Sequence, residues 1–196
     1  MGEKLVYQTL TREDVMTVVL YRIGIVLSAA AIVALAVLLE TSSGRGWGLS
    51  DALAWCLYAS AGISVFFIHL YIGKFKTYLK FLYIVALAGF ALLLLLGKGS
   101  PSSALLQQPA TALLLLPLSG CLGFITAKEA FCFKLIEGYM LAMIMPAYLV
   151  LVAAGALSQR GAANGLVLIA ALFVLFTFRK TPMPLAWDIG DKSAYR

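Results

Sequence analysis

The chain holds one histidine, His69, and three cysteines, Cys56, Cys121 and Cys132. A single imidazole excludes a multi-histidine zinc or di-iron centre. No His-Glu-x-x-His, Gly-x-Ser-x-Gly, phosphate-cradling or dinucleotide fingerprint occurs. A lone histidine can still ligate a metal through a neutral imidazole nitrogen. His69 stands in Phe67-Ile-His-Leu-Tyr-Ile-Gly73, and helical spacing predicts Tyr58, Ala61 or Gly62, Val65 and Gly73 around it. Small neighbours leave room for a flat ring, which makes His69 a candidate axial ligand for haem or chlorophyll. The plainer alternative is a buried histidine hydrogen-bonded to a neighbouring helix. The cysteines are odd in number and widely spaced, which fits reduced packing residues rather than a disulfide framework.

A second candidate is Lys128-Glu-Ala-Phe-Cys-Phe133. If the segment is helical, Lys128 and Cys132 are i,i+4 neighbours, and the ammonium would favour the Cys132 thiolate. The alternative is an interfacial turn with Lys128 snorkelling to headgroups and Phe131 and Phe133 in lipid. Glu129 and Glu137 are expected to pair with Arg22 or Lys134 as structural links. Gly120-x-x-Gly123 reads as helix packing. Arg22, His69, Lys128, Glu129, Cys132 and the acidic tail at Asp188 fall at one edge of the chain's apolar blocks. A site, if present, is therefore expected between the inner ends of the first, second and fourth spans. All nine acids lie at or beyond span ends. A proton- or sodium-coupled carrier usually needs an ionisable group at mid-depth, so that class is disfavoured.

The elements holding these residues follow from hydropathy. Six stretches contain no Asp, Glu, Lys or Arg: 23–39, 52–73, 81–97, 99–127, 138–159 and 161–178. A bilayer core needs about 20 apolar residues per helical crossing, and backbone amides in lipid must bond within their own segment. Hydrophobic residues make up 62% of the chain and charged ones 12%, against about a quarter charged in soluble domains. The predicted fold is all-α, a six-helix transmembrane bundle forming one embedded domain over 1–196. Its spans are expected at about 18–39, 52–72, 79–97, 110–127, 139–157 and 161–178.

Basic residues set the orientation. Arg45, Lys98 and Arg160 lie on one side, and the other twelve of the fifteen lie opposite. Lys and Arg collect on cytoplasmic flanks, so both termini are predicted to be cytoplasmic. The net charge of +6 then reflects topology and implies no nucleic-acid partner. Thr11-Arg-Glu-Asp14 forms a capping box that predicts a helix start near Arg12, and no cleavable signal is read ahead of it. Gly99–Gln108 is expected to be the longest and most mobile outer loop. Pro117 predicts a kink in the fourth span, and Pro146 a soft or bent fifth.

The strings Ile68-His-Leu-Tyr71, Lys128-Glu-Ala-Phe-Cys-Phe133 and Asp188-Ile-Gly-Asp-Lys-Ser193 resemble an uncharacterised family of integral membrane proteins, a domain of unknown function frequent in cyanobacteria. The resemblance implies a multi-pass protein of the bacterial cytoplasmic or thylakoid membrane and supplies no mechanism. Without catalytic motifs or a soluble domain, the expected role is a non-catalytic accessory or assembly protein of a larger membrane complex. It is expected to contact the bilayer and other membrane subunits, with His69 as the candidate ligand for a tetrapyrrole, haem or chlorophyll. Two alternatives stay open. One is a small-solute transporter or channel using Pro117 and Pro146, and the other a membrane enzyme acting on lipid or quinone through Cys132, Glu129 or His69.

Overall fold

Thr11 opens the first helix through a reciprocal cap. Its N–H donates to Asp14 Oδ2 at 2.8 Å, and the Asp14 N–H returns a bond to Thr11 Oγ1 at 3.2 Å. In the computed structural model, which describes residues 10–41, 47–70 and 72–189 (of Trp47 the backbone alone), α1 then runs Arg12–Thr41. It is followed by α2 (Trp47–Phe67), α3 (Gly73–Leu96), α4 (Pro101–Gln107), a 3-10 segment (Pro109–Leu115), α5 (Leu116–Phe133), α6 (Ile136–Ala153), α7 (Gln159–Lys180) and the short α8 (Ala186–Ile189). Among the described residues there is no strand. The Gly/Ser-rich turn after α1, Tyr71 and the tail from Gly190 onward lie outside the described residues.

Among the described residues, six helical segments are long and apolar enough to cross a membrane: α1, Gly48–Phe67, α3, Pro109–Phe133, α6 and α7. The predicted all-α, six-span architecture is the one found. Several helices overrun their hydropathic limits: α3 begins at Gly73 and α5 continues to Phe133. Charge marks where lipid ends, but helical hydrogen bonding continues past that line. With 30 residues, α1 is about 45 Å long at about 1.5 Å per residue. A hydrocarbon core of about 30 Å leaves its first turns, up to the neighbourhood of Arg22, outside.

Two sequence expectations are corrected. Gly99–Gln108 is largely the helix α4, capped by Ser100 Oγ, which accepts from the Ser103 N–H at 3.3 Å. Asp51 Oδ1 on α2 accepts the Ser102 N–H at 2.9 Å, so α4 is fastened to the bundle. Pro117 does not kink a helix interior. It sits in the first turn of α5, where its missing N–H is tolerated, next to the junction at which the 3-10 segment becomes α-helical. Pro146 lies inside α6, which continues to Ala153.

α1 packs between α2 and α7, while α5 packs on α3 and α6. Backbones approach closely where glycine permits it. A Cβ on Gly24 would fall 2.6 Å from the Ser60 carbonyl oxygen and 2.8 Å from the Ser64 nitrogen. Beside it, Ser28 and Ser60 share a hydrogen bond of 2.8 Å, and Ser64 Oγ donates to the Tyr21 carbonyl at 3.1 Å. The Ser64 hydroxyl lies nearer still and can rotate, but the two backbone atoms cannot swing aside. Gly24→Ala is therefore expected to cost about 1–3 kcal/mol through overpacking, read as a lower unfolding midpoint in detergent. Gly48, where an added Cβ meets nothing within 4 Å, should accept alanine without loss.

Candidate functional site

Glu129 lies one turn from the end of α5 and is fully buried. A carboxylate there must be surrounded by donors, because desolvation of an unpaired charge is prohibitive. Tyr21 of α1 donates its hydroxyl to Glu129 Oε1 at 2.7 Å, and Lys128 Nζ donates to the same oxygen at 2.6 Å. Lys180 Nζ, at the end of α7, lies 2.5 Å from Glu129 Oε2. Lys180 is 1% exposed, and its ammonium also sits 3.9 Å from the Phe133 ring centroid, a cation–π contact.

The network continues into the tail. Lys180 Nζ donates to Asp188 Oδ1, and Arg22 Nε donates to Asp188 Oδ2 at 2.7 Å. Arg22 spends its remaining donors on the turn after α7. Nη1 reaches the carbonyls of Thr181 at 2.9 Å and Met183 at 2.5 Å, and Nη2 that of Pro184 at 3.1 Å. Pro182 and Pro184 have no N–H of their own and hold the chain away from helix, which exposes those carbonyls to the fork. The order Lys128, Glu129, Lys180, Asp188, Arg22 alternates in sign from end to end. It joins α1, α5, α7 and α8 at the basic end of the bundle. A separate pair, Arg179 Nη1 to Glu137 Oε2 at 2.8 Å, ties α7 to α6 nearby.

These contacts revise the expected pairings. Glu129 is held by Tyr21, Lys128 and Lys180, not by Arg22 or Lys134. Glu137 pairs with Arg179, and Arg22 serves the tail. Lys134 instead terminates α5 in the left-handed region, φ 55°. The third helix at the cluster is α7, where α2 was expected. Residues 128–133 are helical, so Lys128 and Cys132 are i,i+4 neighbours, but the Lys128 ammonium is engaged by Glu129. Cys132 is exposed at the rim. Sequence reasoning missed Tyr21 and Lys180. The available signal was the spacing Phe173, Phe176, Lys180, which puts the lysine on the buried stripe of α7.

His69 is placed apart from this chain of charges. α2 ends at Phe67, so His69 sits in the α2–α3 linker outside the spanning helices, and the expected helical register from His69 to Gly73 does not form. Its Nε2 lies 3.3 Å from Thr17 Oγ1 of α1, while Nδ1 is buried without a protein partner. Burial, then the positive charges of Lys76 and Lys128, lower its pKa below the ordinary value of 6.5. The unfolded chain thus binds the proton more readily. The stability contributed by neutral His69 is complete above about pH 6.5 and is lost as pH falls toward the folded value. The thermal midpoint is expected to drop on acidification from pH 7.5 to 5.5, with a shallower drop in His69→Gln.

Chemically, the alternating network has little to offer a substrate. Each of its carboxylates already accepts from at least two donors, and Glu129 is closed to solvent. An open apolar groove of about 320 Å³ runs beside Arg22 between Val19, Ile23, Val26, Leu27, Thr181 and Leu185, without reaching Glu129. Among the described residues no group of three or more His, Cys, Asp or Glu is placed to hold a metal ion.

No curated protein and no solved structure matches the chain. A family profile does match, over residues 63–196, a stretch that contains Lys128, Glu129, Lys180 and Asp188 but not Tyr21 or Arg22. With its six membrane-length helices, the chain belongs to the family of uncharacterised integral membrane proteins DUF2301.

Proposed function

We propose that the protein is a non-catalytic accessory or assembly component of a larger membrane complex, built as a single embedded domain with both termini in the cytoplasm. One observation carries the reading: the buried ionisable groups of the candidate site are ion-paired with one another, although Glu129 Oε2, beside the Lys180 ammonium, has no aligned hydrogen bond. A catalytic or transport site keeps at least one such group open to its substrate. A closed, alternating network instead fixes the register of helices and tail. The cytoplasmic assignment rests on the twelve basic residues that the order of spans in the sequence puts on that side, and the choice of a bacterial cytoplasmic or thylakoid membrane on the family resemblance.

The other readings have weaker support. Pro146 does not interrupt α6, and Pro117 stands in the first turn of α5, at the 3-10 junction of the fourth span, without leaving a helix interior broken. Among the described residues Cys132 makes no hydrogen bond to a base, and the nearby Lys128 and Glu129 are committed to each other. Tetrapyrrole ligation by His69 would have to use Nδ1, since Nε2 faces Thr17. Gentle solubilisation of the natively expressed protein, followed by mass spectrometry and an absorption spectrum, tests all of this. Companion subunits should co-purify and should accumulate less when the chain is deleted. A monomeric protein with no companion, or solute flux in proteoliposomes, would overturn the reading. A visible absorption band lost in His69→Gln would establish the pigment.

A further inference from the structure

Three cations of the buried network, Arg22, Lys128 and Lys180, are answered by two carboxylates. Glu129 belongs to a spanning helix, whereas Asp188 comes from the segment that follows the last one. Without that segment the two lysines would still share Glu129, but Arg22 would lose its partners. Among the described residues, every hydrogen bond of its guanidinium ends between Thr181 and Asp188. The spanning helices therefore form a cation site that lacks one carboxylate, and residues 181–189 supply it.

This strap is joined to α7 through Pro182 and Pro184, which stop helical continuity. Beyond the clamp at Arg22 and Lys180, it rests on buried Ile189 and on Trp187. The Trp187 ring stacks on Phe133 at 6.1 Å, with 17° between the planes, and stays half exposed. The strap also walls the open groove of about 320 Å³, where Thr181 and Leu185 stand with Arg22 beside Val19, Ile23, Val26 and Leu27 of α1. Those four side chains are exposed and follow i, i+4, i+7, i+8, a helix-packing stripe. Among the described residues no helix covers it. An apolar stripe that leads to a guanidinium is complementary to a second membrane helix with an acid at its inner end. The fork at Arg22 holds one carboxylate and three peptide carbonyls, which is the chemistry of a polypeptide.

We propose that residues 181–189 are an autoinhibitory strap. Asp188 occupies in cis a carboxylate site that a membrane helix of a companion subunit fills in trans. That helix lies in the groove along α1 and sets an Asp or Glu at its inner end on Arg22. The proposal rests on the accessory reading and gives the partner its chemistry, while exchange of the strap is measurable without any partner.

The test is full-length protein in neutral detergent, titrated with a labelled synthetic peptide of residues 181–189. In wild type the tethered strap competes at high effective concentration, so the peptide should bind weakly. Asp188→Asn should bind it about tenfold more tightly, because the site is open for a larger fraction of the time. Trp187→Ala leaves every ion pair in place and should shift binding in the same direction; it decides the question if Asp188→Asn fails to fold. A peptide with Asn in place of Asp188 should lose the gain. Equal binding by wild type and both variants, or of the two peptides, would overturn the strap. Displacement of the peptide by phosphatidylglycerol would give the site to lipid and overturn the helix as its occupant. Recovery of companion subunits is the second readout. Asp188→Asn should raise it, and Val26→Trp, which fills the groove, should lower it. Peptide exchange with companion recovery unmoved by either variant would overturn the partner assignment. Peptide exchange with no companion in any preparation would overturn the accessory reading and leave the strap standing.

Discussion

Replacing Glu129 by alanine is expected to destabilise the folded bundle by about 3–5 kcal/mol, the loss typical of removing one partner from a buried ion pair. The reasoning runs through the groups left behind. Lys180 keeps Asp188 and the Phe133 ring but loses its second carboxylate, Lys128 loses its acceptor, and the buried Tyr21 hydroxyl loses its bond to Oε1. Lys128 is the most exposed of the three and can turn outward, so the cost falls on Tyr21 and Lys180. Glu129→Gln keeps an acceptor for Tyr21 while removing the charge, and should lose less than Glu129→Ala. Unfolding midpoints of the purified variants in one detergent measure the difference. Equal midpoints for wild type and Glu129→Ala would mean that the carboxylate is not enclosed.

Arg22→Ala should act on the tail first. One guanidinium holds Asp188 and three carbonyls between Thr181 and Pro184, so its removal frees the segment leading into α8. The expected cost is about 3 kcal/mol, together with faster amide exchange and proteolysis across 181–189 than in wild type. Arg22→Lys should rescue little, since an ammonium cannot reproduce a planar fork that meets a carboxylate and carbonyls at once. Unchanged exchange across 181–189 in Arg22→Ala would show that the tail is held by other contacts.

Much of this architecture was legible in the residues. Uncharged runs of membrane length gave the six spans, because the requirement that backbone amides bond within their own segment is local. The Thr11–Asp14 cap was readable for the same reason. The edge at which Arg22, Lys128, Glu129 and Asp188 meet was also readable, since charge cannot sit deep in lipid. Their pairing was not. Fifty-one positions separate Glu129 from Lys180, and helix packing, which no local pattern encodes, decides which basic residue turns inward. Arg179 and Lys180 count alike among the twelve basic residues of that side, yet neighbouring helical residues point about 100° apart. One of them reaches Glu137 and the other is buried. His69 was misplaced because the apolar run continues through Ile72 while the helix stops at Phe67.

The most direct measurement is a double-mutant cycle on the two ends of the tail clamp, using Arg22→Met, Asp188→Leu and the pair together, with unfolding followed in detergent. Arg22→Met leaves Asp188 with Lys180 alone and Asp188→Leu leaves the buried Arg22 guanidinium with carbonyls only, whereas the double change removes both charges and leaves Lys180 on Glu129. The double variant should be more stable than the sum of the single losses allows, by a coupling of about 1–3 kcal/mol. Strictly additive losses would mean that Arg22 and Asp188 do not meet inside the bundle, and the alternating chain of charges would be wrong.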